Sequence, residues 1–141
     1  PMAIRYVLLS THYRARLNFT FDGLDGASAA LSRLQEFKRR LGAVPPGGTE
    51  DLAPAIAACE TSFGEHLDDD LNISGALAAL FDFVRETNKR LDAYAVSPAG
   101  AAGALALLDR LDGVLGLLGE AEETAVPEEI LALAAERQEA R

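Results

Sequence analysis

Leucines recur at helical spacing through nearly the whole chain, and no other pattern in the sequence competes with them. Leu24, Leu31, Leu34 and Leu41 form one stripe, joined by Ala27, Ala30 and Phe37. Leu52, Ile56, Cys59, Phe63 and Leu67 form a second. Leu77, Leu80, Phe81, Val84, Asn88 and Leu91 form a third, and Leu105, Leu108, Leu111, Leu115 and Leu118 a fourth. Steps of three, four and seven put each set on one face of a helix turning every 3.6 residues. Strand signals are weak: β-branched and aromatic residues are sparse, and no Asn-Gly or Asp-Gly turn separates alternating runs. The predicted fold class is all-α, an antiparallel bundle of four to five helices joined by short loops.

Punctuation divides the stripes. A short helix is expected from about Met2 to Ser10, followed by an irregular stretch, Tyr13 to Phe21, whose alternating Leu17, Phe19 and Phe21 could plug the end of the bundle. Thr20 or Asp22 can cap the second helix, which runs to about Leu41 with Gly42 after it. Pro45-Pro46-Gly47-Gly48 is a breaker, and Thr49 is the expected cap of the third helix. Asp68-Asp69-Asp70-Leu71-Asn72 interrupts the pattern before a fourth helix from about Ile73 to Tyr94, in which Asn88 is a polar residue at a core position and needs a partner. Ser97-Pro98 opens the fifth as cap and first helical residue. Gly100, Gly103, Gly113 and Gly116 weaken this helix by about 1 kcal/mol each relative to Ala, so a late start is expected. Pro127 begins a last, charged segment that stops mid-pattern. The division expected is a bundle over 1–124 and the start of a truncated C-terminal segment over 125–141.

Composition narrows the function. At 141 residues the chain suits one core. Its apolar runs fall well short of the ~20 residues a membrane helix needs, so no membrane partner is expected. No secretory signal is readable at the N-terminus. Cys59 is the single cysteine, which rules out an intrachain disulfide and points to a reducing cytoplasm. On the second stripe it is a small core residue. The net charge of -9 argues against a free-standing DNA or RNA binder, because affinity for phosphate comes from Lys and Arg. The charge is uneven, however. Up to Gly42 there are seven basic residues against three acidic; the remainder carries six against nineteen. Such asymmetry suggests one polyanion-facing side. Lys38, Arg39 and Arg40 could serve that side or complement the helix dipole of the last turn.

No catalytic constellation is present in the sequence. Gly47-Gly48 is followed by Thr49-Glu50 instead of the lysine and hydroxyl of a phosphate loop. His12 and His66 belong to no metal-binding pair, and no metal site is expected. Asp68, Asp70 and Asn72 imitate the start of a calcium loop, but Ile73 stands where glycine is required and Ala79 where the bidentate glutamate belongs. Asp70 and Asn72 are therefore read as caps for the start of the fourth helix. His12, Tyr13, Arg14, Arg16 and Asn18 place imidazole, phenol, guanidinium and amide groups in an irregular segment. Such groups stack on bases and hold phosphates, or brace a helix junction.

At these residues the chain resembles a known family. Ile4-Arg5-Tyr6-Val7-Leu8-Leu9-Ser10-Thr11-His12-Tyr13-Arg14 followed by Leu17-Asn18-Phe19 is similar to the segment that follows the catalytic core of cysteinyl-tRNA synthetases, whose pattern is Leu-Arg-Tyr-x-Leu-Leu-Ser-x-His-Tyr-Arg and then Leu-Asn-Phe. Asp68 to Asn72, with Ala76-Leu77 and Asn88, resembles the family's Asp-Asp-Asp-Phe-Asn-Thr-Pro-x-Ala-Leu run and a later Asn. Ile73-Ser74-Gly75 departs from that run. Pro127-Glu128-Glu129-Ile130 resembles the segment leading to the anticodon-reading end. The resemblance implies a helical, DALR-type domain that contacts cysteine tRNA and joins the catalytic core to that end. It places His12, Tyr13, Arg14, Arg16 and Asn18 toward tRNA. It also implies ATP and zinc for the parent enzyme and no cofactor for this piece, since the His-Ile-Gly-His and Lys-Met-Ser-Lys-Ser signatures and the zinc ligands are not in the sequence.

Two other readings differ in class. The cysteine ligase of mycothiol biosynthesis shares the ancestry but carries tryptophans where this chain has Leu17-Asn18-Phe19, and this chain has no Trp. A stand-alone helical adaptor would use its leucine faces to bind a protein.

Overall fold

The computed structural model describes residues 2–119; the expected C-terminal segment, 125–141, lies outside the described residues. Five helices follow one another: α1 (Met2–Ser10), α2 (Phe21–Gly42), α3 (Ala53–Asp68), α4 (Ile73–Asp92) and α5 (Pro98–Leu115). The chain is all-α, as its leucine periodicity predicts. Among the described residues the only extended pairing is a pair of isolated bridges, Pro46 with Gly48 and Glu50 with Val96.

The stripes meet in one core. Leu34, Phe37, Leu52, Leu80, Leu107, Leu108 and Leu117 are almost completely enclosed, and the Phe37 and Phe83 rings meet edge to face with centroids 6.0 Å apart. α3 and α4 form an antiparallel hairpin in which the Cys59 thiol donates to the Ala79 carbonyl at 3.7 Å. α1 packs on α2 and on α4, while α5 closes the bundle against α2 and α3. Two core positions fall between the leucine spacings: Phe83 and Thr87 are buried on α4, while Phe81 is only partly covered.

Helix ends obey local chemistry, with informative exceptions. Thr20 caps α2, its hydroxyl accepting from Gly23 N–H at 3.1 Å. Ser97 caps α5 in the same way, accepting from Gly100 N–H at 3.0 Å. Despite its glycines α5 starts at once, because Gly100 lies against the Glu50 carbonyl and Leu52, where a larger residue would crowd. It ends at Leu115, before Leu118: Gly116 turns left-handed (φ 60°) and Asp112 accepts from Leu117 and Leu118 N–H at 2.6 and 2.8 Å.

Thr49 does not cap α3. Residues 48–50 are drawn instead against the α4–α5 connection, with Glu50 N–H donating to Ala95 O at 2.8 Å and Ser97 N–H to Glu50 O at 3.0 Å. At that approach a side chain on Gly48 would overlap the Val96 carbonyl. The helix begins at Ala53, whose N–H donates to Asp51 at 2.9 Å. Leu17, Phe19 and Phe21 do not plug the bundle either. All three are exposed, Phe21 at 83%. The physical reason lies in α1, whose Met2, Ala3, Tyr6 and Leu9 already pack on the core and leave the following loop outside.

Burial separates neighbouring leucines of α5. Leu107 is fully enclosed and Leu105 only partly, so Leu107→Ala is expected to cost about 2–5 kcal/mol and Leu105→Ala less than half of that. Urea unfolding of the two variants measures the difference, and equal costs would contradict this packing.

Candidate nucleic-acid interface

The turn between α3 and α4 builds the site. Asp70 and Leu71 both adopt left-handed backbone (φ 54° each), a conformation that costs a non-glycine residue about 1–2 kcal/mol. It reverses the chain tightly enough for Asn72 N–H to donate back to His66 O at 3.0 Å. Asn72 then caps α4, its side-chain oxygen accepting from Gly75 N–H at 3.0 Å. Gly75 lies so close to His66 that any side chain would overlap the imidazole.

Asp70, expected as a second cap, is not one. Asn72 makes the α4 cap, and the Asp70 carboxylate meets the loop after α1 instead. There it accepts from the Tyr13 hydroxyl at 2.6 Å, pairs with Arg14 Nη1 at 3.3 Å and stands 3.9 Å from His12 Nε2. His12 and Tyr13 stack with centroids 4.9 Å apart, and the Arg14 guanidinium covers the Tyr13 ring at 5.3 Å. Ser74 Oγ donates to Ser10 O at 2.7 Å and ties α4 to the end of α1.

Three of the five residues singled out in this loop, His12, Tyr13 and Arg14, are thus gathered on one carboxylate. Arg16 and Asn18 are exposed further along the loop, and no hydrogen bond or ion pair holds them to the described residues. An aromatic stack with an attached guanidinium, beside a second exposed arginine, can pack on a base and neutralise phosphate.

Ion pairing sharpens the charge asymmetry. Lys38, Arg39, Arg40, Arg85, Lys89, Arg90 and Arg110 all meet carboxylates, with Asp109, Glu36, Asp92, Asp82, Glu86, Glu50 and Glu60 among their partners. Among the described residues Arg16 and Arg33 meet none, and Arg5 Nε donates to the Leu115 carbonyl at 3.2 Å. Arg33 stands close enough to Tyr6 of α1 to oppose the rise that burial imposes on that phenol's pKa. The cations without a carboxylate partner therefore lie on α1, its loop and α2, where Asp22 and Asp25 of α2 and Asp68 and Asp69 beside Asp70 are likewise without a cation. Spacing alone did not reveal Arg33, because its importance comes from the lack of an acidic neighbour in space.

The remaining candidates are structural. Asn88 is only half-buried, the buried polar position of α4 being Thr87, and it accepts from Arg40 Nη1 at 2.6 Å. Cys59 lies at the base of an open groove between α3 and α4 lined by Ala55, Ala58, Ser62 and Ala79. No group of three or more His, Cys, Asp or Glu among the described residues is placed to hold a metal ion, and none of the described helices is long and apolar enough to cross a membrane.

Part of the chain matches a known domain family. The DALR domain family matches residues 62–119, from the second half of α3 to the end of the described chain. The whole chain is also similar to cysteine–tRNA ligases. It is 38% identical over 141 residues to that of Chlamydia caviae, covering 98% of this chain and 30% of the relative. The figures are 41% over 142 residues for Protochlamydia amoebophila, with 98% and 29% covered, and 42% over 125 residues for Thermus thermophilus, with 85% and 26% covered. The chain is similar to one segment of the cysteine–tRNA ligases and spans about 30% of the length of the first of these relatives.

Two measurements check this geometry. The hydrogen bond to Asp70 is the main reason the Tyr13 phenol ionises above its ordinary pKa of 10.0. A raised folded-state pKa means that this contact stabilises the loop below about pH 10 and that the contribution is lost as pH rises through the folded value. In Asp70→Asn the Tyr13 transition, followed at 295 nm, should move down toward the ordinary value; an unmoved titration would contradict the bond. Burial likewise pushes the Cys59 thiol up to about 11. Alkylation by iodoacetamide at pH 8 should therefore be negligible in the folded chain and fast in urea. Rapid labelling without denaturant would contradict that placement.

Proposed function

We propose that this chain is the tRNA-contacting helical domain of a cysteinyl-tRNA synthetase, with a bundle over 1–124 that links the catalytic core to the anticodon-reading end and with 125–141 beginning the segment toward that end. The observation that carries the reading is the meeting of Tyr13 and Asp70. These residues lie 57 positions apart and come from the two blocks that resemble the family, yet they share one hydrogen bond. The loop they fix also carries Arg16, which meets no carboxylate among the described residues.

In this reading His12, Tyr13, Arg14, Arg16 and Asn18 face cysteine tRNA, with Arg14 and Arg16 supplying charge. Ile4 and Leu8 on the outer side of α1, together with Leu17, Phe19 and Phe21, form exposed apolar surface of the kind that a neighbouring domain covers. The parent's catalytic core is the partner assigned to it. ATP and zinc belong to that core: the described residues offer no ligand set for zinc, and no chemical step of aminoacylation is assigned to them. The cytoplasm, where protein synthesis takes place, is the compartment that goes with this role.

Binding of tRNA by this chain alone should be weak and strongly salt-dependent, because the contacts are few and the net charge of -9 opposes them. Fluorescence anisotropy with a cysteine-tRNA transcript at increasing KCl measures the slope of log K against log salt. Arg16→Ala is expected to weaken binding and reduce that slope by about one. Tight, salt-insensitive binding, or an unchanged slope in Arg16→Ala, would overturn the proposal.

A further inference from the structure

At the opposite end of α4 from the loop site, a second feature is unexplained by packing. Tyr94 follows the last turn of α4 with left-handed backbone (φ 53°). Its N–H donates to Leu91 O and the next N–H, of Ala95, to Arg90 O, both at 3.0 Å. This is the hydrogen-bond pair of a Schellman helix end, whose left-handed position favours glycine. Here a tyrosine occupies it, and the residue is 77% exposed. The backbone is strained and the apolar ring is left in water, so neither local conformation nor core packing accounts for the residue. Non-glycine residues held this way concentrate at ligand-binding positions.

The ring borders a pocket of about 170 Å³ also lined by Arg39, Arg40, Val44, Leu91 and Val96. That volume is below the range for drug-sized ligands and suits one planar ring. Apolar side chains and two arginines line the pocket together. Glu36 fixes the Arg39 guanidinium through Nε and Nη2 at 2.7 and 2.6 Å, while Nη1 has no partner among the described residues. Asn88 and Asp92 fix Arg40 at 2.6 Å each. Both cations are therefore preorganised, and an aromatic face stands beside them. An unpaired nucleotide matches this chemistry: its base stacks on an aromatic ring and its phosphate meets a guanidinium. α4 has 20 residues, which places the pocket about 30 Å from the loop site.

We infer that this pocket is a second RNA contact, which takes one unstacked nucleotide of the tRNA by stacking its base on Tyr94 and holding its phosphate at Arg39. The inference rests on the tRNA-contact reading above and adds a site to it. Binding of the cysteine-tRNA transcript by the 141-residue chain tests it, with thermal melting recorded in parallel. Tyr94→Gly is expected to leave the melting temperature unchanged or raise it by up to about 5 °C while weakening binding at least about fivefold. Tyr94→Asn, whose residue also tolerates left-handed backbone, should weaken binding equally, whereas Tyr94→Phe should stay within about twofold of the parent chain. Arg16→Ala serves as the control at the first site. Weakening in Arg16→Ala with none in Tyr94→Gly and Tyr94→Asn would overturn this inference alone, as would an equal loss in Tyr94→Phe. No effect in any variant, or no salt-dependent binding by the parent chain, would overturn both readings.

Discussion

The reversal of the chain between α3 and α4 is the constraint on which the site depends. Two consecutive left-handed residues, Asp70 and Leu71, bring Asn72 back onto the end of α3 and let its side chain start α4. The strain is tolerated because the Asn72 cap, the bond to His66 O and the ionic cluster on Asp70 all favour the same turn. That turn also aims the Asp70 carboxylate across to Tyr13 and Arg14. One local geometry therefore closes the α3–α4 hairpin and orders the loop that follows α1.

Electrostatics makes the loop side of the bundle different from the rest. Most basic residues from Lys38 onward are matched with acids across or along helices. Exposed pairs of this kind contribute little to stability, about 0–1 kcal/mol, and they offset part of the local charge. Among the described residues Arg5, Arg16 and Arg33 meet no carboxylate, Arg16 in a loop whose neighbouring aromatic and imidazole rings are stacked, while Asp22, Asp25, Asp68 and Asp69 meet no cation.

The two ends of α4 have opposite designs. At its N-terminus, polar side chains satisfy the backbone and organise a neighbouring loop. At its C-terminus, Tyr94 occupies a left-handed position beside Arg39 and Arg40, leaving its aromatic face in solvent. The rigid helix between them sets their separation, which is what a connecting bundle supplies better than a flexible linker.

Leucine spacing and breaker residues were enough to derive the helix order, α1 and its limits and the cap at Ser97, and to narrow the α2 and α4 caps to short sets that included Thr20 and Asn72, because these depend on contacts within a turn or on one helical face. The residues of the first loop also stood out in the sequence, since polar and aromatic groups in an irregular segment are conspicuous. The role of Asp70 did not, because a local rule for acids before a helix predicts a cap and cannot see a tyrosine 57 positions away. Thr49 failed as a cap for the same reason: Glu50 found Ala95 and Ser97 across the fold. The exposure of Leu17, Phe19 and Phe21, the burial of Thr87 and the isolation of Arg33 were likewise decided only in the tertiary structure. Periodicity records which side of a helix is apolar, whereas coverage and charge balance depend on which other elements arrive there.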